Sequence, residues 1–534
     1  MVLTNMLTTI KDCVVLISIA FTIMLGACTF VPAYTTDKDA SQAEKNLGDT
    51  PLGKMAQELS AGRESSETGF LLLDRGHNAL AWRLFMAENA VRTIDAQYFL
   101  WKNDRLGRLF IQRLMDAADR GVRVRVLIDA SMTESDPLYL AKFSAYPNIE
   151  VRLYKPFGPK HKSYVFRWID FAADFKTLNR RMHNKLYIAD DSFMISGGRN
   201  IGEDYFEYLA PDVFRSRDLM GVGPIADKAS DAFDMYWNSQ WTVPVETAVD
   251  PVPTTEEGQA FRQILDTAGD DSSNYPPGYS DIGSMAQART RLADELMWGN
   301  SRLVFDTVPG DDGQPMVPKD QNDIVGKALQ ELANQATEEI LAESAYLIFT
   351  DGTMDHFQKL KDRGLKVVML TNSLAANNHT TAFVGYRKQR KKQINLLTEL
   401  YEYRPDAASQ TELYAELAPD QPVPHMGLHA KTAVFDRKIV FVGSFNLDPR
   451  SVNLNTEIGL VVNSPELGRV VADSILNDIA PGNAWLVRLN EGKTEWVTIE
   501  NGKETIEPEN EPLSSRTRKL EADLAQPFTP SAQM

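Results

Sequence analysis

The sequence of 534 residues predicts an α/β fold with two tandem domains, each an α/β/α sandwich, related by pseudo-twofold symmetry. Helix-like and strand-like patterns alternate in both halves, which is typical of a mixed, largely parallel sheet with helices on both faces. The segment from Asp119 to Asp129 also recurs 243 residues later, from Asp362 to Asn372. In each copy a helix ends at a glycine and a buried strand follows. This recurrence predicts a duplicated domain.

The first half shows the predicted elements in order. Helical patterns span Ala79–Ala90 and Gly107–Ala118, and strand patterns span Thr93–Leu100 and Val122–Asp129. Stretches that are polar and poor in apolar residues are assigned as flexible segments. The predicted boundaries are residues 1–27 for a signal peptide, 28–67 for a flexible tether, 68–246 for the first domain, 247–300 for a polar linker, 301–504 for the second domain and 505–534 for a disordered tail.

The N-terminus has the pattern of an export signal. Lys11 precedes an apolar run that ends at Leu25-Gly26-Ala27-Cys28. A positive start, an apolar core and small residues before a cut site are typical of a secretory signal. The ending resembles a bacterial lipobox, which predicts a lipoprotein anchored through a lipid on Cys28 at the periplasmic side of an envelope membrane. The alternative is an uncleaved anchor, since residues 14–33 are just long enough to span a bilayer.

Charge and cysteine content narrow the classes of function. The formal net charge is −17, so phosphate backbones repel the surface and nucleic acid is a poor partner. Anionic membranes are likewise not held by charge alone, which is a second reason to expect a lipid anchor. Both cysteines, Cys13 and Cys28, lie in the N-terminal segment. The folded part is therefore predicted to contain no disulfide and no cysteine-ligated metal.

The strongest functional signal is a motif that occurs twice. Each position in the second copy lies 246 residues after its counterpart in the first. Two copies in matching halves of a duplicated fold are far more specific than one short pattern. The first copy is His183, Lys185, Asp190, Gly197, Gly198 and Asn200, and the second is His429, Lys431, Asp436, Gly443, Ser444 and Asn446.

These residue types suit phosphoryl transfer without a metal or another cofactor. Residues two apart on a strand point the same way, so each histidine and lysine line one face. Pseudo-twofold symmetry then brings both pairs into one cleft. A neutral imidazole can attack phosphorus, and a protonated one can give a proton to the leaving alcohol. The lysines and asparagines supply charge and hydrogen bonds to oxygens that become more negative in the transition state.

The paired motifs resemble the HKD motifs of the phospholipase D superfamily, and the chain is most similar to the C-type branch of the bacterial cardiolipin synthases. The similarity extends over roughly residues 69–498 and is carried by residues 179–185, 197–202, 371–377, 443–446 and 448–451. It implies two tandem phospholipase D-type domains. One departure from the repeated pattern is Gly198, which lacks the hydroxyl of Ser444. Another is Glu343-Ser344-Ala345-Tyr346, which replaces a serine-serine-tyrosine type of strand.

The resemblance also implies roles for the site residues. His183 would be the nucleophile that forms a phosphatidyl-histidine, and His429 the general acid and then the base for the incoming alcohol. Asp218 and Glu457 match acidic positions that orient the histidines, and ordinary salt bridges are the alternative for both. The motif residues expected to act as structural supports are Asp190, Asp436, Gly197, Gly443 and Ser444.

The implied activity is transfer of a phosphatidyl group to phosphatidylglycerol, with phosphatidylethanolamine or a second phosphatidylglycerol as donor and cardiolipin as product. A hydrolase that releases phosphatidic acid has the same motifs and stays open. A nuclease of the superfamily is disfavoured by the negative charge. An inactive membrane-tethered scaffold is disfavoured because both histidines, lysines and asparagines are present. Membrane phospholipids are the expected partners, and no protein partner can be named.

Three weaker patterns have two interpretations each. The aromatic and basic loop of residues 155–181 fits either a segment dipping into lipid headgroups or a packed loop. The basic run Arg387–Lys392 fits a phosphate-binding surface, but a solvated helix face is the more common explanation. His425 and His429 are four residues apart, like metal ligands on a helix, but Pro422 and Pro424 argue against a helix there, so no metal site is predicted.

Overall fold

The computed structural model describes nine stretches of the chain. The predicted signal peptide, Cys28 and residues 156–178 of the aromatic and basic loop lie outside them. The described stretches are residues 38–131, 137–155, 179–207, 210–269, 282–308, 323–417, 420–500, 502–508 and 510–528.

Twenty strands lie in these stretches, and eighteen of them form one continuous sheet. The two others, β7 and β14, come from different halves of the chain and pair with each other in parallel. The strands are β1 (Glu67–Leu73), β2 (Thr93–Tyr98), β3 (Arg123–Asp129), β4 (Ile149–Tyr154), β5 (Leu186–Ala189), β6 (Phe193–Gly197), β7 (Asp212–Arg215), β8 (Asp218–Val222), β9 (Thr242–Pro244), β10 (Met297–Phe305), β11 (Glu339–Ser344), β12 (Lys366–Asn372), β13 (Glu399–Tyr403), β14 (His425–Leu428), β15 (Lys431–Phe435), β16 (Ile439–Gly443), β17 (Ile458–Asn463), β18 (Ala484–Asn490), β19 (Lys493–Glu500) and β20 (Lys503–Ile506).

Fourteen α-helices lie in the same stretches. Short 3₁₀ turns span Glu203–Phe206, Val245–Ala248 and Gln526–Phe528. The helices are α1 (Pro51–Leu59), α2 (Gly76–Asn89), α3 (Arg105–Asp119), α4 (Pro137–Ser144), α5 (Ile225–Trp237), α6 (Thr255–Gly269), α7 (Met285–Glu295), α8 (Ile324–Gln335), α9 (Asp351–Asp362), α10 (Thr380–Leu396), α11 (Ala408–Leu417), α12 (Pro449–Asn453), α13 (Pro465–Asp478) and α14 (Arg516–Ala525).

The strand order confirms the predicted duplication. Across the sheet it runs β9–β4–β3–β2–β5–β6–β8–β1, continues through the antiparallel β1–β10 pair, and then runs β17–β16–β15–β11–β12–β13–β18–β19–β20. The order of the first eight strands repeats in reverse from β10 to β18, so a pseudo-twofold axis passes between β1 and β10. The sheet is mixed, as predicted. Only β2–β3–β4 and β11–β12–β13 are parallel within it, so antiparallel pairs outnumber parallel ones among the described strands.

Helices cover both faces of the sheet, and apolar packing on one of the faces joins the two halves. On one face, α2 and α3 cover the first half with buried side chains that include Trp82 and Phe110. On the other face, α5 and α13 lie beside the axis. Phe233 of α5 and Val471 of α13 belong to one buried cluster with strand residues from both halves. The two domains therefore share a core, and burial of this apolar surface stabilises their association.

The structure differs from the predicted flexible tether over 28–67 in the part that it describes, residues 38–67. Pro51 starts helix α1, and the Thr50 side chain caps it by accepting a hydrogen bond from Gly53 N at 3.0 Å. Leu52 and Met55 of this helix are buried in the core of the first domain. The polar composition of the segment led to the wrong prediction of a flexible tether. The segment is polar on average, but one short capped helix within it supplies the apolar contacts.

The predicted polar linker of residues 247–300 is also folded where it is described. It contains α6, α7 and the start of β10. Phe261 and Leu265, four residues apart on α6, are buried against the first domain. Ala288 and Leu292 on α7 follow the same spacing. A narrow apolar stripe is enough to dock a helix even when its average composition is polar.

The predicted disordered tail, residues 505–534, contains helix α14. Ser515 caps this helix by accepting a hydrogen bond from Arg518 N at 3.2 Å. Ala522 is fully buried, and Arg387 of α10 pairs with Asp523 at 2.9 Å. Residues 529–534 lie outside the described stretches. Among the residues described, no helix combines the length and apolar character needed to cross a membrane.

Candidate active site

The two motifs meet at the pseudo-twofold axis because each histidine backbone bonds to the opposite half. His183 N donates to Thr456 O at 2.9 Å, and His429 N donates to Arg215 O at 2.7 Å. The second contact continues the parallel pairing of β7 with β14. Neither half alone can therefore place its histidine in the observed position.

One cavity of about 1230 Å³ is lined by both histidines and both motif asparagines. The structure thus brings together His183, His429, Asn200 and Asn446 from positions far apart in the chain. Asn200 is oriented by its Oδ1 atom, which accepts a hydrogen bond from Leu100 N at 3.2 Å. Its amide N–H groups remain available to a substrate oxygen.

His183 is held by a carboxylate. Its Nδ1 lies 2.8 Å from Oε2 of Glu457, and Ser444 Oγ donates to the same oxygen at 2.5 Å. Asp306 fixes Glu457 in turn, since its Oδ2 accepts from Glu457 N at 2.9 Å. A carboxylate acceptor places the imidazole proton on Nδ1 and leaves the Nε2 lone pair of His183 free to attack.

His429 is held by a backbone carbonyl instead. Its Nδ1 lies 3.0 Å from Gly198 O. The rings of Tyr205 and Phe214 pack against it, with centroids 5.2 and 5.5 Å from the imidazole. A carbonyl fixes the same tautomer as a carboxylate does, but it lacks the negative charge that would favour the imidazolium. The two histidines are therefore chemically unequal.

The structure differs from the predicted role of Asp218, which contacts neither histidine through its carboxylate. Asp218 Oδ2 accepts from the buried Arg83 guanidinium at 2.8 Å, and its Oδ1 accepts from Arg199 N at 3.1 Å. Strand register gives the reason. Asp218 pairs with Gly197, whereas Gly443 of the second motif pairs with Gly459.

By this register, Ser216 occupies the position that Glu457 occupies in the other half. Ser216 carries no charge, and its Oγ lies 3.5 Å from His429 O. The space beside it is also limited, because a Cβ added at Gly198 would approach Ser216 Oγ to 2.5 Å. The first half thus lacks both the hydroxyl of Ser444, where it has Gly198, and the carboxylate of Glu457, where it has Ser216.

The two motif glycines permit a close approach of neighbouring strands. A Cβ added at Gly197 would lie 2.5 Å from Arg217 O, and one added at Gly443 would lie 2.4 Å from Ile458 O. Any side chain there would push apart the strands that carry the site. This accounts for the paired glycines of the motif.

The two motif lysines are buried behind the histidines. Lys185 Nζ donates to His183 O at 2.6 Å, and Lys431 Nζ donates to His429 O at 2.8 Å. Burial lowers the pKa of Lys185 to about 7. Burial and the charge of Lys185 lower the pKa of Lys431 well below its ordinary value. Such poorly solvated ammonium groups gain strongly from a bound phosphate anion.

The same surroundings keep both imidazoles neutral. Burial, followed by the charges of Lys185 and Lys431, holds the pKa of His183 well below its ordinary value. Burial and the same two lysines lower the pKa of His429. A neutral imidazole is the form that can attack phosphorus, and the negative charge of a bound phosphodiester would help a neighbouring imidazole to take up a proton.

The cavity lining also includes Arg450, Arg518 and Asp448, which were not predicted as site residues. Arg450 donates to Asn179 Oδ1 at 2.9 Å. Burial and the neighbouring Glu457 raise the pKa of Asp448 to about 6, although Ser451 N bonds to it. The motif-like run from Asp448 to Ser451 is the signal that could have identified these two. Arg518 comes from α14, and no local pattern marks it.

The structure shows what the basic run and the histidine pair of the sequence analysis form. In the basic run of α10, Arg387 and Arg390 form ion pairs, Arg390 with the buried Glu402 at 2.9 Å. His425 lies on strand β14, not on a helix, and its Nδ1 is 3.4 Å from Asp212 Oδ1. Within the described stretches, no three or more His, Cys, Asp or Glu side chains are grouped closely enough to hold a metal ion.

Comparison with known proteins gives a consistent result. The family described as cardiolipin synthase, PLD-like domain, matches residues 86–237 and 329–479, one match in each half. Cardiolipin synthase C of Escherichia coli K12 is 33% identical over 466 residues, covering 86% of this chain and 94% of that protein. Cardiolipin synthase of Staphylococcus aureus Mu50 is 20% identical over 418 residues, covering 78% and 68%.

The fold has a solved relative as well. The crystal structure of phosphatidylserine synthase from Haemophilus influenzae superposes with a TM-score of 0.50 at 12% identity, covering 82% of this chain and 91% of that one. At this identity the likeness concerns the fold alone. The resemblance inferred from the motifs is confirmed by the family match and by the Escherichia coli relative. The chain is an enzyme of the phospholipase D superfamily, and it belongs to the PLD-like cardiolipin synthase family.

Proposed function

We propose that the protein forms cardiolipin from phosphatidylglycerol and a second phospholipid through a phosphatidyl-histidine intermediate on His183. The observation that carries this proposal is the pairing of two unequal histidines in one cavity. Nδ1 of His183 lies 2.8 Å from a Glu457 carboxylate oxygen, and Nδ1 of His429 lies 3.0 Å from the Gly198 carbonyl oxygen. The names of the relatives support cardiolipin as the product.

The first half-reaction forms the covalent intermediate. His183 Nε2 attacks phosphorus, and the bond between phosphorus and the headgroup oxygen breaks. His429 gives its Nε2 proton to that oxygen, so the headgroup leaves as a neutral alcohol. Glu457 stabilises the positive charge that grows on His183. The two lysines and two asparagines stabilise the charge on the phosphoryl oxygens.

The second half-reaction transfers the phosphatidyl group. The hydroxyl of phosphatidylglycerol gives its proton to His429, which is now a base, and its oxygen attacks phosphorus. The bond from phosphorus to His183 Nε2 breaks, and the enzyme returns to its starting state. Water in place of the alcohol would give phosphatidic acid, which is the alternative hydrolase activity. A cavity of about 1230 Å³ with aromatic walls favours a lipid headgroup over water.

The N-terminal sequence supports a further part of the proposal. Cys28 at the lipobox-like site carries a lipid, and the folded domains lie on the periplasmic side of the membrane that holds it. The support is the order of a basic residue, an apolar run and Leu25-Gly26-Ala27-Cys28. Globomycin-sensitive processing and incorporation of labelled palmitate are the direct assay, and Cys28→Ser should abolish both.

A lipid-product assay tests the activity. The lipidated protein is reconstituted into bilayers of phosphatidylglycerol and phosphatidylethanolamine with a chelator, and the products are identified by mass spectrometry. We expect cardiolipin from the wild type and none from His183→Ala or His429→Ala. Phosphatidic acid without cardiolipin would establish the hydrolase instead. Cardiolipin made by the His183→Ala protein would contradict the proposed mechanism.

A further inference from the structure

Residues 38–50, called the strap below, run along helix α5 in the opposite direction. Ala43 N donates to Asp234 Oδ2 at 2.8 Å, and Ser41 N donates to Asn238 Oδ1 at 3.1 Å. Further along, Lys45 pairs with Asp227 at 2.9 Å. The strap is thus fixed from the end of α5 to its beginning, and it is not free to swing.

The strap begins at the edge of the sheet that carries the active site. Lys38 Nζ donates to Ser239 O and Thr242 O. Thr242 pairs with Tyr154, the last residue of β4. Strands β2, β3 and β4 are parallel, so their carboxyl ends share one edge. Phe99 follows β2 and lines the catalytic cavity at this edge, which is called the catalytic edge below.

The distance from this attachment to the proposed lipid is short. Cys28 precedes Lys38 by ten residues. Ten residues span at most about 35 Å when fully extended. A lipid on Cys28 would therefore keep the catalytic edge close to the bilayer. Without the strap, the tether would run to Thr50 and be roughly twice as long, and it would start from the opposite edge of the sheet.

A second observation concerns the other side of the cavity. Helix α14 contributes Arg518 to the cavity lining, and its outer face carries two leucines one turn apart. Leu520 is 57% exposed and Leu524 is 63% exposed. Leu513, just before the helix, is 56% exposed. Exposed leucines grouped beside a cavity are a feature of surfaces that contact apolar partners.

We propose that the catalytic edge, with Lys38 at the start of the strap and the leucines of α14, is a membrane-docking surface, and that the bilayer holding the Cys28 lipid is its occupant. The proposal rests on the proposed lipidation and activity. A net charge of −17 gives no electrostatic attraction to anionic lipid. Orientation therefore comes from the short tether and from the apolar contact. In this position the cavity takes its lipids from the same leaflet that holds the anchor.

Two labelled variants test the orientation without relying on activity. In the processed, lipidated full chain Cys13 is removed and Cys28 is modified, so an added cysteine is the only free thiol. One variant is Leu520→Cys. The matched control is Ser65→Cys, an exposed site in the turn before β1 at the opposite edge. Each carries an environment-sensitive fluorophore, in vesicles whose lipids bear a nitroxide on the acyl chain.

We expect several-fold stronger quenching at position 520 than at position 65. Equal quenching, or stronger quenching at 65, would overturn the proposed orientation. An inserted Gly/Ser segment of about twenty residues before Lys38 lengthens the tether. It should slow lipid turnover in vesicles several-fold and leave turnover in detergent micelles unchanged. If no lipid product forms in either system, the proposed activity fails, while the quenching contrast still decides the docking surface.

Discussion

The two motif histidines differ in the group that holds Nδ1, and this difference supports the roles proposed for them. Glu457 is hydrogen-bonded to Nδ1 of His183, whereas the Gly198 carbonyl is hydrogen-bonded to Nδ1 of His429. A nucleophile needs a partner that stabilises the positive charge of its covalent form, and a carboxylate does this far better than a carbonyl. The asymmetry therefore favours His183 as the nucleophile.

Replacing Glu457 by glutamine should separate orientation from charge. The amide oxygen can still accept from Nδ1, but the negative charge is lost. We expect Glu457→Gln to lower kcat by about 10²- to 10⁴-fold with a small change in KM. Initial rates of lipid product formation measure this. Asp218→Asn is the contrasting variant, since its carboxylate binds Arg83, and it should lower thermal stability more than kcat. Equal losses of kcat in the two variants would contradict the asymmetry.

The pH dependence follows from Lys185. Its pKa of about 7 means that the free enzyme loses this charge as the pH rises through 7. We therefore expect kcat/KM to fall above about pH 7, because the cavity then attracts the phosphodiester less. The unfolded chain keeps this proton up to its ordinary pKa of 10.5. Between these values the unfolded state binds more protons, so this group makes the free energy of unfolding rise with pH. A kcat/KM profile that is flat through pH 7 would contradict the lowered pKa of Lys185.

A site residue could be predicted from the sequence where a local pattern of residues marks its position. The paired His, Lys and Asn residues could be identified because the same pattern occurs again 246 residues later in the chain. The role of Asp218 could not be predicted correctly from the sequence, because an acidic residue fits the expected pattern there. The strand register shows that Ser216, not Asp218, is the counterpart of Glu457. Arg518 reaches the cavity by tertiary packing of α14, which no local pattern encodes.

The motif aspartates act on the scale of whole strands. Asp190 accepts hydrogen bonds from Val91 N, Arg92 N and Thr93 N, at the start of β2. Asp436 accepts in the same way from the backbone N–H groups of residues 337–339, which lead into β11. Each aspartate thus joins the turn after a motif strand to the second strand of its domain, β2 or β11. This function explains why the motif needs a carboxylate far from the cavity.

Asp190→Asn should destabilise the protein without altering its chemistry. Asparagine offers one acceptor in place of two and points an amide at backbone donors. We expect a loss of at least about 2 kcal/mol in the free energy of unfolding, since hydrogen bonds to buried charges are the stronger ones. Urea denaturation measures it. Asp436→Asn should cost less because Asp436 is only half-buried. A larger loss at Asp436 would contradict this account.

Elements with a regular apolar pattern could be predicted, and elements held by few contacts could not. The two helices and two strands predicted in the first domain lie within a few residues of α2, α3, β2 and β3. Helices α1 and α14 were missed, since each buries only a narrow stripe inside a polar stretch. Their stability comes from caps and from docking against the neighbouring domain, and neither is visible in local composition.

On the scale of the whole molecule, a buried ionic network joins the two domains. Arg215 and Arg217 of the first domain pair with Asp478 of α13 at 2.9 and 2.6 Å, and Arg217 also pairs with Glu343. Burial raises the pKa of Glu343 to about 7, opposed by Arg217. The network therefore links the strand that holds His429 in place to the sheet of the second domain.

Removing the shared acid should weaken both domains together. Asp478→Asn leaves two buried guanidinium groups with less compensating charge, and we expect a loss of about 3–5 kcal/mol in the free energy of unfolding. Asp473→Asn on the same helix is the matched control, since Asp473 is 71% exposed, and it should change little. Urea denaturation followed by limited proteolysis measures both. Independent unfolding of the two domains would contradict a shared core.

In the proposed mechanism His183 carries the phosphatidyl group, and this adduct can be trapped. A phosphatidyl ester of p-nitrophenol has a leaving group that needs no proton from His429. We expect the His429→Ala protein to react once with it and to retain the phosphatidyl group on the peptide that contains His183, as located by mass spectrometry after digestion. No adduct should form in His183→Ala. An adduct on His429 in the His183→Ala protein, or no adduct in either variant, would contradict this mechanism.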